Sequence, residues 1–446
     1  MSKRTTITTE IRAMLALALP VVADQIGLMS MSFVDTIMVG RLGKDALGAV
    51  GIGASIYYFY MVFAYGVISS VGPTVAQAFG TGDRQEINRS VGQAFWLAAL
   101  LTIGGIAVTR NIGALLRAMG QPPELVPLSE QFIHALGYGI FASLSYAVLR
   151  AFVVGLGRTR VTMMISITAS LVNIVADYAL IYGKLGMPAL GVAGAGYATA
   201  IVQWVMLGAG LWYVLREKDL RTYTVLRHIL PPDRVRLLRL LRLGVPIGLA
   251  HSMENGIFGL TSLLMGRIGT VALASHQVAI NVAALTFMVP LGISTAATTR
   301  VGHAIGRGEP RAAALTGWIA IGLGALFMTC TALTFITIPG AIIGIYSDDP
   351  GVLAYATGLL MIAGAFQLAD GIQVVAIGAL RGLKDTARPL MVNLLAYWVI
   401  GLPVAYLLAF HLGLGGHGLW WGLSAGLAVA AVLHSLRFRR LTAMAA

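Results

Sequence analysis

Long apolar stretches separated by short polar ones fill the chain, at 13–38, 46–77, 90–109, 125–149, 162–182, 190–215, 237–265, 271–299, 312–338, 352–379, 389–410 and 413–434. A hydrocarbon core roughly 30 Å thick is crossed by a helix of about 20 apolar residues. None of the stretches shows the two-residue alternation of a barrel strand. Backbone groups in lipid must satisfy their hydrogen bonds within the segment, so each stretch predicts a transmembrane helix. The expected fold is an all-α integral membrane protein of twelve transmembrane helices.

The pattern also repeats. An offset of 226 residues lays Pro20 on Pro246, Gly40-Arg41 on Gly266-Arg267, Ala46-Leu47 on Ala272-Leu273, Gly66 on Gly292 and Gly80 on Gly306. One further residue of shift lays Gly155-Leu156 on Gly382-Leu383 and Thr159 on Thr386. Recurrence at one offset over nearly half the chain marks a duplication. It predicts two pseudo-symmetric six-helix lobes, 1–215 and 237–446, around a central cleft, joined by a cytoplasmic linker at 216–236 that holds Pro231-Pro232 and dense charge. Six helices is an even number, so both halves enter the membrane from one side and their symmetry axis follows the membrane normal.

Composition agrees: 57% of residues are hydrophobic and 11% charged. The formal net charge of +13 would suit nucleic acid, but its placement gives another reading. With both termini cytoplasmic, 25 of the 31 Lys and Arg fall on inner segments and 6 on outer ones, as the positive-inside rule expects of a multi-pass plasma (inner) membrane protein. No nucleic-acid partner is expected. The single cysteine, Cys330, offers neither a disulfide framework nor a thiolate metal site. The first apolar run exceeds the core of a signal peptide and is read as the first membrane helix.

Acidic residues inside this apolar background stand out, because an ionised carboxylate at the bilayer centre costs at least ~2.5 kcal/mol. Asp35 follows Pro20 on the first helix, and a proline that removes one backbone hydrogen bond gives such a helix a place to bend and gate. The alternative is a helix-end carboxylate near Arg41. Asn173 and Asp177 share one face of the fifth helix. They could join Asp35 at one ion, or they could form an interhelical hydrogen bond or an interfacial acid near Lys184. Asp24, nearly on the face of Asp35, has no evident role.

In the second half, Glu254 follows Pro246, and Asp370 stands between Gln367 and Gln373. No basic partner is visible near either acid at similar depth, so a cation site is favoured over a structural ion pair. Hard oxygen ligands suit Na⁺ or a proton better than a transition metal. His251 and His276 are relay or packing candidates. Tyr57, Tyr65, Phe258, Phe287 and Phe366, with His276, Gln277 and Gln367, are candidates for lining a cleft that takes flat organic cations, against the alternative of helix-packing aromatics.

Two enzyme-like spellings carry no weight. Gly422-Leu423-Ser424-Ala425-Gly426 lies inside an apolar helix rather than at a strand-turn-helix elbow. Gly413 to Gly418 spells a dinucleotide fingerprint without a preceding strand. The chain has no Walker motif, so neither an enzyme nor an ATP-driven pump is expected.

The run Phe33-Val34-Asp35-Thr36-Ile37-Met38-Val39-Gly40, the run Ala369-Asp370-Gly371-Ile372-Gln373 leading to Leu380-Arg381-Gly382-Leu383-Lys384-Asp385-Thr386, the Asn173 to Asp177 pair and Ser275-His276-Gln277 together resemble the multidrug and toxic compound extrusion (MATE) family, in its NorM-like branch. The resemblance covers the whole chain. It implies an exporter of cationic, mostly aromatic drugs in exchange for Na⁺ or H⁺ from a cleft between the lobes; a monomer with no other cofactor is expected. It further implies an N-lobe cation or proton site at Asp35, Asn173 and Asp177, and a C-lobe site, with possible Na⁺, at Glu254 and Asp370. The branch is expected to have a tyrosine where Phe366 stands, and losing that hydroxyl favours protons over Na⁺. Other readings are a lipid-linked oligosaccharide flippase of the same broad superfamily, which would want a basic cleft, and an intramembrane hydrolase using Ser424.

Overall fold

A computed structural model describes residues 3–229 and 231–444 and is helical almost throughout. In chain order the helices are α1 (Lys3–Gly40), α2 (Lys44–Ile68), α3 (Val71–Gly80), α4 (Arg84–Arg110), α5 (Ile112–Ala118), α6 (Val126–Gly137), α7 (Ile140–Gly155), α8 (Thr159–Tyr182) and α9 (Val192–Arg216). They continue as α10 (Arg234–Ile268), α11 (Thr270–Gly306), α12 (Pro310–Thr337), α13 (Pro339–Ile343), α14 (Pro350–Gly382), α15 (Ala387–Asn393), α16 (Leu402–Tyr406) and α17 (Gly415–Met444). Two stretches of wider π-helix, Leu394–Gly401 and Leu407–His411, flank α16 and join it to α15 as one membrane-length segment.

Ten helical segments among the described residues are long and apolar enough to cross a membrane, and α6 with α7, bent by 46° at their junction, makes an eleventh. The twelfth expected crossing is α10, which falls short on apolarity. Its middle carries His251, Ser252, Glu254 and Asn255, which lower its hydropathy.

The chain divides into two compact units, one of the described residues of Met1–Val22 and Leu249–Ala446, the other of Ala23–Gly248. These bounds differ from the 1–215 and 237–446 expected of the duplication. The first part of α1 packs with the second half of the chain, and the linker with the first part of α10 packs with the first half.

Backbone contacts give the reason. A Cβ on Gly66 of α2 would lie 2.5 Å from the Cα of Gly248 on α10, and a Cβ on Gly292 of α11 would lie 2.4 Å from Val22 on α1. The duplicated glycines thus press on equivalent points of α10 and α1, each from the opposite repeat. Within each unit the repeat holds as well. Gly155 meets Val75 and the Gly72 carbonyl, while Gly382 meets Val301 and the Thr298 carbonyl. Small residues at these crossings let helices approach closely where lipid offers no hydrophobic drive for association.

The linker is docked rather than loose. Gln93 of α4 donates to the carbonyls of His228 and Pro231 at 3.1 and 3.0 Å, and Trp96 donates to Ile229 at 2.6 Å. Asp233 then starts α10 by accepting from the Val235 and Arg236 N–H groups. Those backbone donors, with the Arg236 guanidinium, hold the Asp233 carboxyl below its usual range.

Candidate ion-coupling sites

In the unit built from 23–248, α8 is fastened to the outer part of α1 at two levels. Ser170 donates to the Gly27 carbonyl at 2.8 Å and Tyr182 to the Met38 carbonyl at 2.7 Å. Between these levels Asp35 faces Asn173 and Asp177 of α8, and Thr199 of α9 donates to Asp35 Oδ2 at 3.2 Å. Asp35 Oδ1, both oxygens of Asp177 and both polar atoms of the Asn173 amide make no hydrogen bond of good geometry among the described residues. Asn173 is 1% and Asp177 0% exposed. A buried polar atom left unpaired costs roughly 1–3 kcal/mol, so this group of oxygens is chemically suited to a proton or a small hard cation. Thr199 was not among the residues singled out from the sequence; a threonine in an apolar helix gives no signal of its own.

Asp24 has a different environment. Its side chain is 0% exposed and pairs with Arg150 of α7, whose Nη2 lies 2.5 Å and Nε 2.7 Å from Asp24 Oδ2. Arg150 also donates to Gln25 at 3.1 Å. Counted as an inner-segment charge from the sequence, Arg150 lies within helix and neutralises a carboxylate. Arg300 of α11 does the same for Glu10, holding both carboxylate oxygens, while Thr316 donates to one of them at 3.0 Å.

In the other unit, α14 is held to α11 by Ser294 donating to the Val374 carbonyl at 2.7 Å and Thr298 to the Gly378 carbonyl at 2.8 Å. This fixes the face that carries Asp370, which is 5% exposed. The amide of Gln373 bridges two acids, Nε2 lying 3.2 Å from Glu254 Oε1 and 3.3 Å from Asp370 Oδ1. Gln373 Oε1 has no hydrogen-bond partner among the described residues. Tyr397, from the π-helical stretch, is buried, lies within electrostatic range of both acids, and has a hydroxyl without a partner among the described residues. Its presence supplies a phenol oxygen to a site where Phe366 has none.

One expectation needs correcting here. A basic partner does lie near Glu254: Arg381, three turns beyond Asp370 on α14, comes within its electrostatic range and hydrogen-bonds His251 at 3.1 Å. It follows the apolar block at 352–379 by two positions, and α14 carries it because the helix continues to Gly382. Among the described residues it forms no ion pair with either acid. No cluster of three or more His, Cys, Asp or Glu forms among the described residues. A cation at either site would therefore be held by carboxylate, amide, hydroxyl and phenol oxygens. Hard oxygen donors of this kind suit Na⁺ or a proton better than a transition metal.

The remaining candidates divide by exposure. Tyr65 and Gln277 are exposed, and Tyr65 shares a short hydrogen bond with Ser143. Phe258 and Phe287 are half-buried, Phe258 standing edge-on to Phe366 with centroids 6.5 Å apart. Tyr57, Phe366, Gln367 and His276 are enclosed. His276 has both ring nitrogens engaged, with Ser262 at 3.0 Å and Trp420 at 3.2 Å, and Gln367 donates to Thr286 at 2.6 Å. These contacts make His276 and Gln367 members of the helix packing in this structure. Pro20 is buried inside an unbroken α1. Ser424 donates to the carbonyl of Trp420 at 2.8 Å, an ordinary bond within α17.

Comparison with known proteins matches this architecture. A family model described as MatE matches residues 20–179 and 246–407, one copy in each repeat. The chain is 40% identical over 439 residues to a probable multidrug resistance protein NorM of Pseudomonas aeruginosa, covering 97% of this chain and 90% of that protein. It is 38% identical to the multidrug resistance protein MdtK of Edwardsiella ictaluri, covering 96% and 95%. Among solved structures, an outward-facing multidrug resistance MATE family transporter superposes with a TM-score of 0.89 at 21% identity, covering 98% of this chain and 96% of that one. The eukaryotic MATE transporter AtDTX14 gives 0.87 at 20% identity, covering 98% of both. The chain belongs to the MATE family.

Proposed function

We propose that this protein is a secondary active multidrug efflux transporter of the plasma (inner) membrane, with both termini cytoplasmic, that exchanges cationic aromatic compounds for Na⁺ or H⁺ by alternating access. The observation that carries the reading is two groups of acids within apolar helices, the buried Asp35–Asn173–Asp177 in one unit and half-buried Glu254 with buried Asp370 in the other, whose oxygens no Lys or Arg among the described residues contacts directly. Acids retained only for structure would resemble Asp24 and Glu10, each of which is clasped by an arginine.

The driving force is adequate without ATP. A tenfold inward gradient of the coupling ion supplies about 1.4 kcal/mol, and each cation that enters in excess of the charge leaving on the drug adds about 2.3 kcal/mol per 100 mV. Binding of the coupling ion lets an acid group be neutral in one half of the cycle. Release of that ion leaves a negative site that favours the cationic drug. A ligand shifts such a cycle only by its differential affinity for the two states, so ion and drug need not touch the same atoms. Coupled neutralisation is sufficient.

The test is Asp370→Asn, with Asp35→Asn alongside. Each variant should reach the membrane at wild-type level and lose export of a cationic dye from cells. Export at the wild-type rate by both variants would contradict the assignment.

A further inference from the structure

Arg381 is a permanent cation placed beside an acid pair without making an ion pair to it. Its Nη2 lies 3.1 Å from His251 Nε2, and His251 precedes Glu254 by one turn on α10. A guanidinium has donors only. His251 must therefore accept through an Nε2 lone pair and carry its proton on Nδ1. The other groups about this point are Glu254 on α10, Asp370 on α14, Tyr397 on the π-helical stretch, and His434 on α17, which bonds Asn393 at 2.9 Å. With both acids ionised, Arg381 leaves the group one negative charge from neutrality. Asp370 is buried and Glu254, His251 and Arg381 are half-buried within apolar helices, where a net charge is costly, so one further monovalent cation satisfies the group and a second is opposed.

We propose that Arg381, held back from Glu254 by His251, is the fixed counter-charge of the Glu254–Asp370 pair and limits this site to one monovalent cation per transport cycle. The proposal rests on the reading of that pair as a coupling site. His251 is then a positioning residue. It keeps the guanidinium close enough to balance charge and far enough to leave the carboxylate oxygens free for the ion.

The test uses the full chain in proteoliposomes with ethidium as the cationic probe and Na⁺ and pH gradients imposed. With the membrane potential clamped at zero, the ion gradient that nulls dye flux at a set dye gradient reads the number of cations exchanged. Arg381→Gln should raise that number by one and Arg381→Lys should return it to the wild-type value. An unchanged number in Arg381→Gln overturns the proposal. Should Arg381→Gln fail to insert, His251 decides. His251→Gln keeps an acceptor for Arg381 and should retain the wild-type half-saturating cation concentration, whereas His251→Leu frees Arg381 to pair with Glu254 and should raise it tenfold or more. Equal values for the two variants overturn the proposal. Asp370→Asn separates the two levels of the argument: wild-type ion dependence in that variant removes the coupling site itself, while its loss together with an unchanged count in Arg381→Gln removes only the role of Arg381.

Discussion

At the scale of single residues, acids that look alike in the sequence divide by their partners. Asp24 and Asp35 lie on one helix and nearly one face, yet Asp24 is clasped by Arg150 and Asp35 has no cationic partner among the described residues. Removing one member of a buried ion pair leaves the other uncompensated and costs about 3–5 kcal/mol. Asp24→Asn should therefore lower the unfolding temperature of the purified protein, while Asp35→Asn should leave it unchanged or raised and abolish ion-driven export. Equal thermal shifts in the two variants would refute the division. Asp35, Asp177, Glu254 and Asp370 were legible because a charge in an apolar run is conspicuous. Their neighbours were not: Arg150 lies 126 residues from Asp24, Thr199 lies 164 from Asp35, and Tyr397 is one aromatic among many. Such pairings are set by helix packing, which a single sequence does not display.

At the scale of elements, α1 and α10 have corresponding prolines, Pro20 and Pro246, each missing one backbone hydrogen bond inside a long helix. In α1 this weak point falls just before the residue at which the helix passes from one compact unit to the other. Pro20→Ala restores the bond and should stiffen the helix, slowing dye export severalfold without lowering membrane abundance; unaltered turnover would show that α1 does not bend during transport. The glycine crossings make a second, structural prediction. Leucine at Gly66 or Gly292 would drive a side chain into α10 or α1, and overpacking of this kind costs typically about 1–3 kcal/mol or more. Both variants should show reduced yield of folded protein in detergent, measured by size-exclusion profile. The helices themselves were readable from apolar run length, which is why all twelve expected crossings correspond to helix. The π-helical stretches were not, since their sequence is uniformly apolar and nothing in it marks a change of winding.

At the scale of the whole molecule, duplication was visible in the recurring glycines, but the exchange of helix ends between units was not. The 226-residue offset records which residues are equivalent and is silent on which copy each one packs against. Orientation rests on the distribution of Lys and Arg and is tested by reporter fusions. A cytoplasm-active reporter at the C-terminus should be active, and a periplasm-active one silent; the reverse would invert the topology.

The central claim is that buried carboxylates in this chain couple an inward cation gradient to drug export. It is tested most directly in vesicles carrying wild-type protein or Asp370→Asn, with a Na⁺ gradient and a pH gradient imposed separately. Wild type should concentrate a cationic dye against its gradient under at least one of the two, and Asp370→Asn under neither. Dye accumulation that ignores both gradients, or that survives undiminished in Asp370→Asn, would contradict the account.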